Sequence, residues 1–374
     1  MSCATLADNR NSAPMQNSSE SNLALIGLNT AELENILSVL EEPPFRGQQL
    51  FGWLYRSRVN SFADMINLPT ILRNMLEEKY IIHPLNLVHV TGSLLEPTRK
   101  FLFELQSGEK VESVLMKEGN RTTLCVSSQV GCAVDCDFCA TASMGFQKNL
   151  SVGEIVDQYL QVSSHTKSSI TNVVFMGMGE PFLNYERVIA ASNLMNHKNG
   201  IKLGAWRITI STVGIIPKII RYTDEKHHYK LAISLNGSSQ ESRLKTMPIA
   251  KKYPLDDLLT AIDYFSSQSR HPITLEYVLM AGVTDTKEDA QKLIAMLTGR
   301  RCKLNVIPYN EIGGKYKRPP DHIIESFIDM LSKASFPVTV RWSKGTDIAA
   351  GCGQLAVMEG TAPRWFIILK WQNS

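Results

Sequence analysis

Three cysteines stand in C-x-x-x-C-x-x-C spacing, Cys132, Cys136 and Cys139, inside GCAVDCDFCATASMGF. Thiolates packed this closely select zinc or an iron–sulfur cluster. Structural zinc takes four ligands, drawn from paired knuckles. No second knuckle is visible here, and His165 and His197 fall in or near expected helices. A four-iron cluster held by three thiolates keeps one iron open to a small molecule. Two more thiols stand out: Cys125 in TLCVSSQVGC, and Cys352 in GTDIAAGCGQL. Gly351 and Gly353 around Cys352 suggest a flexible loop, suited to a nucleophile that must move. Cys302, before KLNVIP, reads as a packing thiol, and Cys3 lies in a polar start. An odd total of seven cysteines, unevenly clustered, fits metal or catalytic use in a reducing cytoplasm better than a disulfide framework.

The elements that must position these residues change character along the chain. Residues 1–22 are small, polar and aperiodic, and read as a disordered tail without signal-peptide features. Residues 23–90 read as a small helical domain. TAELENILSVLEE puts Leu33, Ile36, Leu37 and Leu40 on one face, and Asn29 with Glu32 forms a capping-box pattern. Arg46, Arg56 and Arg58, with Trp53 and Tyr55, could form a basic, aromatic face or surround a small core. From Leu87 the period changes to the alternation of a β-meander.

Strand-like and helical runs then alternate, from TTLCVSS to DHIIESFIDMLSK, and end on VTVRWS. Six such units predict a parallel sheet with helices outside. They are too few for an eightfold barrel, so an α/β fold built on a partial (βα)6 barrel over residues 91–356 is expected, with 357–374 as a tail. In such folds chemistry collects at the loops after the strands. The cysteine cluster, GMGEP (Gly177–Pro181), Ser211, Ser234 with Asn236, Asn310 and Cys352 all fall there. Net charge is only +3 and charged residues are 20%, so composition announces no nucleic-acid partner, and no apolar run is long enough to span a bilayer.

The cysteine spacing, with Phe138 before the last cysteine and GMGEP downstream, resembles the radical S-adenosylmethionine (SAM) enzymes. TLCVSSQVGC, MGMGEP, ISLNG, NVIPYN and GTDIAAGCGQL together resemble the RlmN/Cfr family of RNA adenosine methyltransferases, from about residue 30 to about residue 356.

The resemblance implies a [4Fe-4S] cluster on Cys132, Cys136 and Cys139, and two SAM molecules per turnover. One methylates Cys352. The other yields a radical that activates this methyl for addition to an adenine ring carbon. Cys125 then resolves the protein–RNA adduct by forming a disulfide with Cys352, and Glu112 in KVESVLM matches the family's proton acceptor. Gly179, Glu180, Ser211, Ser234, Leu235, Asn236 and Asn310 match its SAM contacts. Asn236 stands where many relatives have histidine, and Lys344 where arginine is common. The implied partners are 23S ribosomal RNA, transfer RNA and an external electron donor. A monomer without membrane attachment is expected. Pro181 looks like the branch that methylates carbon-2 rather than carbon-8. Arg46, Arg56, Arg58, Lys315, Lys317 and Arg318 are candidate phosphate contacts. Two other readings stay open: a radical-SAM enzyme with a different substrate, and an RNA-binding protein with structural zinc.

Overall fold

The computed structural model describes residues 23–357. The expected terminal tails, Cys3 included, lie outside the described residues, apart from residue 357.

The N-terminal segment packs three helices, α1 (Thr30–Val39), α2 (Phe45–Phe51) and α3 (Thr70–Lys79). The Asn29 side chain accepts the Glu32 N–H at 3.1 Å, and Glu32 returns the bond to the Asn29 N–H at 2.7 Å. Such a cap contributes about 1 kcal/mol. Leu33 and Leu37 are fully buried, while Ile36 and Leu40 pack at the margin. The polypeptide then forms four antiparallel strands, β1 (Leu85–Thr91), β2 (Thr98–Leu105), β3 (Lys110–Glu118) and β4 (Arg121–Cys125). The sheet thus starts at Leu85, earlier than the boundary at residue 90 expected from sequence.

Six further strands continue it in parallel: β5 (Asn172–Phe175), β6 (Ile208–Thr212), β7 (Lys230–Ser234), β8 (Ile273–Leu279), β9 (Cys302–Pro308) and β10 (Val338–Val340). Spatial order across the ten strands follows chain order, and β10 does not pair with β1, so the barrel stays open. Helices α4 (Val152–Ser164), α5 (Tyr185–Asn196), α6 (Ile216–Asp224), α7 (Leu255–Gln268), α8 (Lys287–Leu297) and α9 (Asp321–Leu331) alternate with the parallel strands. Strands β5 to β9 are mostly buried, which explains their largely apolar runs, and every residue of β8 is buried; β10, at the edge, is part-exposed. Among the described residues no helix is long and apolar enough to cross a membrane.

The N-terminal segment docks on α4. A Cβ at Gly153 would meet the Ile26 carbonyl oxygen at 2.2 Å, so only glycine lets the two backbones approach. Four residues along the same face, buried Asp157 pairs with His83 at 2.6 Å and accepts the Leu85 N–H at 3.1 Å.

Candidate active site

The cysteine loop springs from a two-stranded ribbon, Gln129–Gly131 against Phe146–Asn149. Gly131 has φ +69, and a Cβ there would lie 1.6 Å from the Gly145 oxygen. The ribbon closes only with glycine at this position. Cys132 N–H bonds the Gly145 carbonyl at 3.1 Å, Cys139 N–H bonds the Cys136 carbonyl at 3.1 Å, and a short helix starts at Ala140. All three thiols line one open cavity at the strand ends. No histidine lines it. Among the described residues no three His, Cys, Asp or Glu side chains converge on one metal ion. Zinc would draw its sulfurs to about 2.3 Å from a single point. Thiols spread around one cavity suit a polynuclear cluster instead. Burial pushes the Cys132 thiol up to about 12 and raises Cys136 as well, so a bound metal core is what would make them thiolates.

Gly179, Glu180, Ser211, Ser234, Asn236 and Cys352 line the same cavity. Gly179 sits at φ +94 with its missing Cβ against Gln129, so the Gly177–Pro181 turn presents backbone to the cavity. Buried Glu180 accepts the Phe182 and Val213 N–H groups at 2.9 and 2.8 Å. Burial nevertheless raises its carboxyl to about 7. Asn236 adopts φ +46, a left-handed conformation asparagine tolerates. Its side chain is occupied in accepting the Val278 N–H at 3.0 Å, which gives the residue a backbone-fixing task.

Leu235 and Asn310 do not line the cavity. Leu235 is wholly buried. Asn310 Nδ2 donates to the Cys352 carbonyl at 2.9 Å and to Ser343 Oγ at 2.8 Å. The Cys352 loop is therefore anchored rather than loose. Ala140 N–H bonds the Gly353 carbonyl at 2.7 Å, Thr141 Oγ1 bonds the Leu355 carbonyl at 2.6 Å, and Gln354 Nε2 bonds the Glu311 carbonyl at 3.1 Å. Its glycines serve close approach: a Cβ at Gly351 would lie 2.6 Å from Gln354 Oε1, and Gly353 has φ +80. Cys352 is exposed and lines the cavity.

Cys125 lies below, in a smaller cavity that Cys352 also lines. Burial pushes the Cys125 thiol up to about 12. Glu112 is buried beneath the loop, paired with Lys100 at 2.9 Å, and its Oε2 has no partner. Burial raises its carboxyl, and the Lys100 charge opposes this.

Two residues escaped the sequence reading. Arg341 lines both cavities and is the only cation on the larger one among the described residues. Its Nη1 donates to the Met176 thioether at 3.1 Å. Glu276 lines the larger cavity with Oε2 unpaired. Its position in the middle of an apolar strand was the available signal. Among candidate phosphate contacts, Arg56 is exposed, but Arg58 lies over the Tyr159 ring and Arg46 bonds Gln49 and Asn67. Tyr55 is core, its hydroxyl bonded to Gly27 N–H and the Leu28 carbonyl, so the expected aromatic face loses it. Lys315, Lys317 and Arg318 form exposed ion pairs with Asp137, Glu311 and Asp321.

Residues 126–295 match the radical SAM superfamily, and residues 23–82 match the ribosomal RNA large subunit methyltransferase N-terminal domain. A probable dual-specificity RNA methyltransferase RlmN of Clostridioides difficile (strain 630) is 39% identical over 87% of this chain and 94% of its own. Its counterpart in Geobacillus kaustophilus (strain HTA426) is 41% identical over 90% and 93%. The crystal structure of a radical SAM methyltransferase from Sphaerobacter thermophilus superposes with a TM-score of 0.86 at 38% identity, covering 89% of this chain and 99% of that one. Both family matches fall on separate parts of one continuous similarity, and the chain belongs to the RlmN/Cfr family of radical SAM RNA methyltransferases.

Proposed function

We propose that this protein methylates carbon-2 of an adenosine in 23S ribosomal RNA and in transfer RNA, by way of a methyl group carried on Cys352. The observation that carries this reading is that Cys352 lines both the cavity ringed by Cys132, Cys136 and Cys139 and the cavity that holds Cys125. One thiol between a cluster site and a second thiol suits a carrier that is loaded on one side and released on the other.

When bound, a [4Fe-4S] cluster on the three cysteines and two SAM molecules would supply a methyl group and, with an external electron, a primary carbon radical. Cys352 accepts the methyl on sulfur; burial raises its thiol's pKa, and the Arg341 charge opposes that rise. An adenine amidine carbon is electrophilic, so a carbon radical held on the Cys352 sulfur can add where a methyl cation cannot. The adduct gives up its unpaired electron, which a bound cluster would take back, and Glu112 takes the ring proton. Cys125 then attacks the Cys352 sulfur; the new S–S bond forms as the S–C bond breaks, the released carbon takes up a proton to become the methyl group, and cellular thiols reduce the disulfide. Gly179, Glu180, Ser211, Ser234 and Asn236 hold SAM or shape its walls, with Leu235 buried behind them. The target base has to leave its stack to reach Cys352. Arg56 and the Lys315–Arg318 stretch, next to the cysteine loop through the Lys315–Asp137 pair, offer phosphate contacts. The protein acts as a cytoplasmic monomer, and Pro181 favours carbon-2 over carbon-8.

The test is peptide mass spectrometry of cluster-loaded protein after anaerobic exposure to SAM. One added methyl on Cys352 is expected. Cys352→Ser abolishes it, and Cys125→Ser leaves protein covalently attached to RNA. Digestion of the RNA product locates the methyl at carbon-2. An unmodified Cys352 on a protein that still cleaves SAM would overturn the reading.

A further inference from the structure

Arg243 sits in the helix Gln240–Thr246 with none of its surface exposed. Its Nε donates to the Leu235 carbonyl at 3.1 Å and its Nη2 to the Val213 carbonyl at 2.5 Å. The third nitrogen, Nη1, is buried without a partner, and the guanidinium forms no ion pair among the described residues. Burial lowers its pKa only to about 10, so the cation persists at neutral pH. A buried charge without a counter-charge costs several kcal/mol, and proteins that keep one pair it. Cys136 is the ionisable side chain close enough to Arg243 for the two charges to act on each other. The helix is tied to the cysteine loop, because Asp137 N–H bonds the Thr246 carbonyl at 3.0 Å. Val213, whose carbonyl Arg243 holds, lines the cavity beside Cys136.

We infer that Arg243 is the fixed counter-charge of the iron–sulfur cluster, placed behind Cys136 to stabilise the cluster's reduced form. The inference rests on the cluster reading above. Three thiolates outweigh the positive core, and the single electron that reduces the cluster adds to its negative charge, so a buried cation close to one ligand favours the reduced state. The carbonyl bonds to Leu235 and Val213 aim the guanidinium; they do not neutralise it. Arg243 is a positioning residue for charge and touches no reacting atom.

The experiment is an anaerobic redox titration of cluster-loaded protein, followed by electron paramagnetic resonance, for wild type, Arg243→Gln and Arg243→Lys. Iron and sulfide are assayed in each. At the poise where wild type is half reduced, the reduced-to-oxidised ratio of Arg243→Gln should fall at least about tenfold. Arg243→Lys keeps the charge, loses the fork and should stay within about threefold of wild type. Equal midpoints in wild type and a fully loaded Arg243→Gln would overturn the inference. Should Arg243→Gln fail to fold or load, protein carrying ¹⁵N-arginine decides. Without SAM, the reduced wild-type cluster should show ¹⁵N hyperfine coupling that Arg243→Lys lacks, and identical spectra would overturn the inference. A wild-type protein that binds no iron and sulfide would overturn the cluster reading together with this one.

Discussion

Asn310 donates its side-chain amide to the Cys352 carbonyl at 2.9 Å and so fixes the backbone that carries the candidate methyl carrier. The same nitrogen reaches Ser343 Oγ, which joins the loop's two ends. Replacing Asn310 with alanine removes both bonds, at about 1 kcal/mol each. Cys352 methylation should slow roughly tenfold, since a misplaced nucleophile loses orientation. SAM affinity, measured by equilibrium dialysis, should change less than about twofold because Asn310 does not line the cavity. A collapse of SAM affinity with the loop intact would instead make Asn310 a ligand contact.

In the proposed mechanism Glu112 acts after Cys352 is loaded, so its loss should separate the two half-reactions. Its carboxylate is buried against Lys100 and one oxygen is unpaired. Glu112→Gln keeps the shape and removes the base. Cys352 should still gain its methyl group, while methylated RNA falls by about a hundredfold or more, the usual worth of a positioned base. Mass spectrometry of the Cys352 peptide and of digested RNA reads the two steps from one sample. Loss of both would assign Glu112 a structural part.

Cys302 is the control thiol. It is buried on an edge of the sheet's core and lines neither cavity of the site. Cys302→Ala deletes one sulfur from a packed region, at about 1–2 kcal/mol. Its melting temperature should drop, and cluster content and Cys352 methylation should hold. Activity lost in step with cluster content would show that Cys302 supports the site.

Much of this arrangement was legible because apolar periodicity and chemistry-bearing residues repeat in step. The inner parallel strands are rich in Val, Ile and Leu, and polar residues of the site fall where a run ends, as at Ser211 and Asn310, with Glu276 the mid-strand exception. Capping at Asn29 was equally readable, since both partners are local. What stayed hidden depends on distant contacts. Tyr55 could face outward or belong to a small core, and Gly27 and Leu28, far back in the chain, decide for the core by claiming its hydroxyl. Gly351 looked like a hinge, yet Asn310 and Gln354 press against it. Arg341 and Arg243 carried no motif, and only the folded chain brings them to the thiols.

The seam between the N-terminal segment and the barrel should be intolerant of a single methyl. An alanine at Gly153 places its Cβ 2.2 Å from the Ile26 carbonyl oxygen, a backbone atom with no rotamer to escape through. The change should cost about 1–3 kcal/mol and lower the midpoint of urea unfolding. Cluster content should persist, because the cysteine loop lies on separate elements. Unchanged stability would mean that the segment docks elsewhere.

Glu180 supplies a pH dependence with a definite sign. Its carboxyl is raised from 4.5 to about 7, chiefly by burial, against the pull of its bonds to Thr212, Val213 and Phe182. The folded protein thus holds this proton at pH values where the unfolded chain has released it. Stability from this group is fully present below pH 4.5 and is lost as pH rises through about 7. The full loss is on the order of 3 kcal/mol, most of it between those two values. Glu180→Gln cannot ionise, so its stability should lack this slope, and the wild-type advantage should shrink steadily from pH 5.5 to 7.5 (about two units around the transition). Urea unfolding of cluster-loaded protein at several pH values measures it. Parallel curves for the two proteins would show that Glu180 is ionised throughout, with its three hydrogen bonds outweighing the cost of burial.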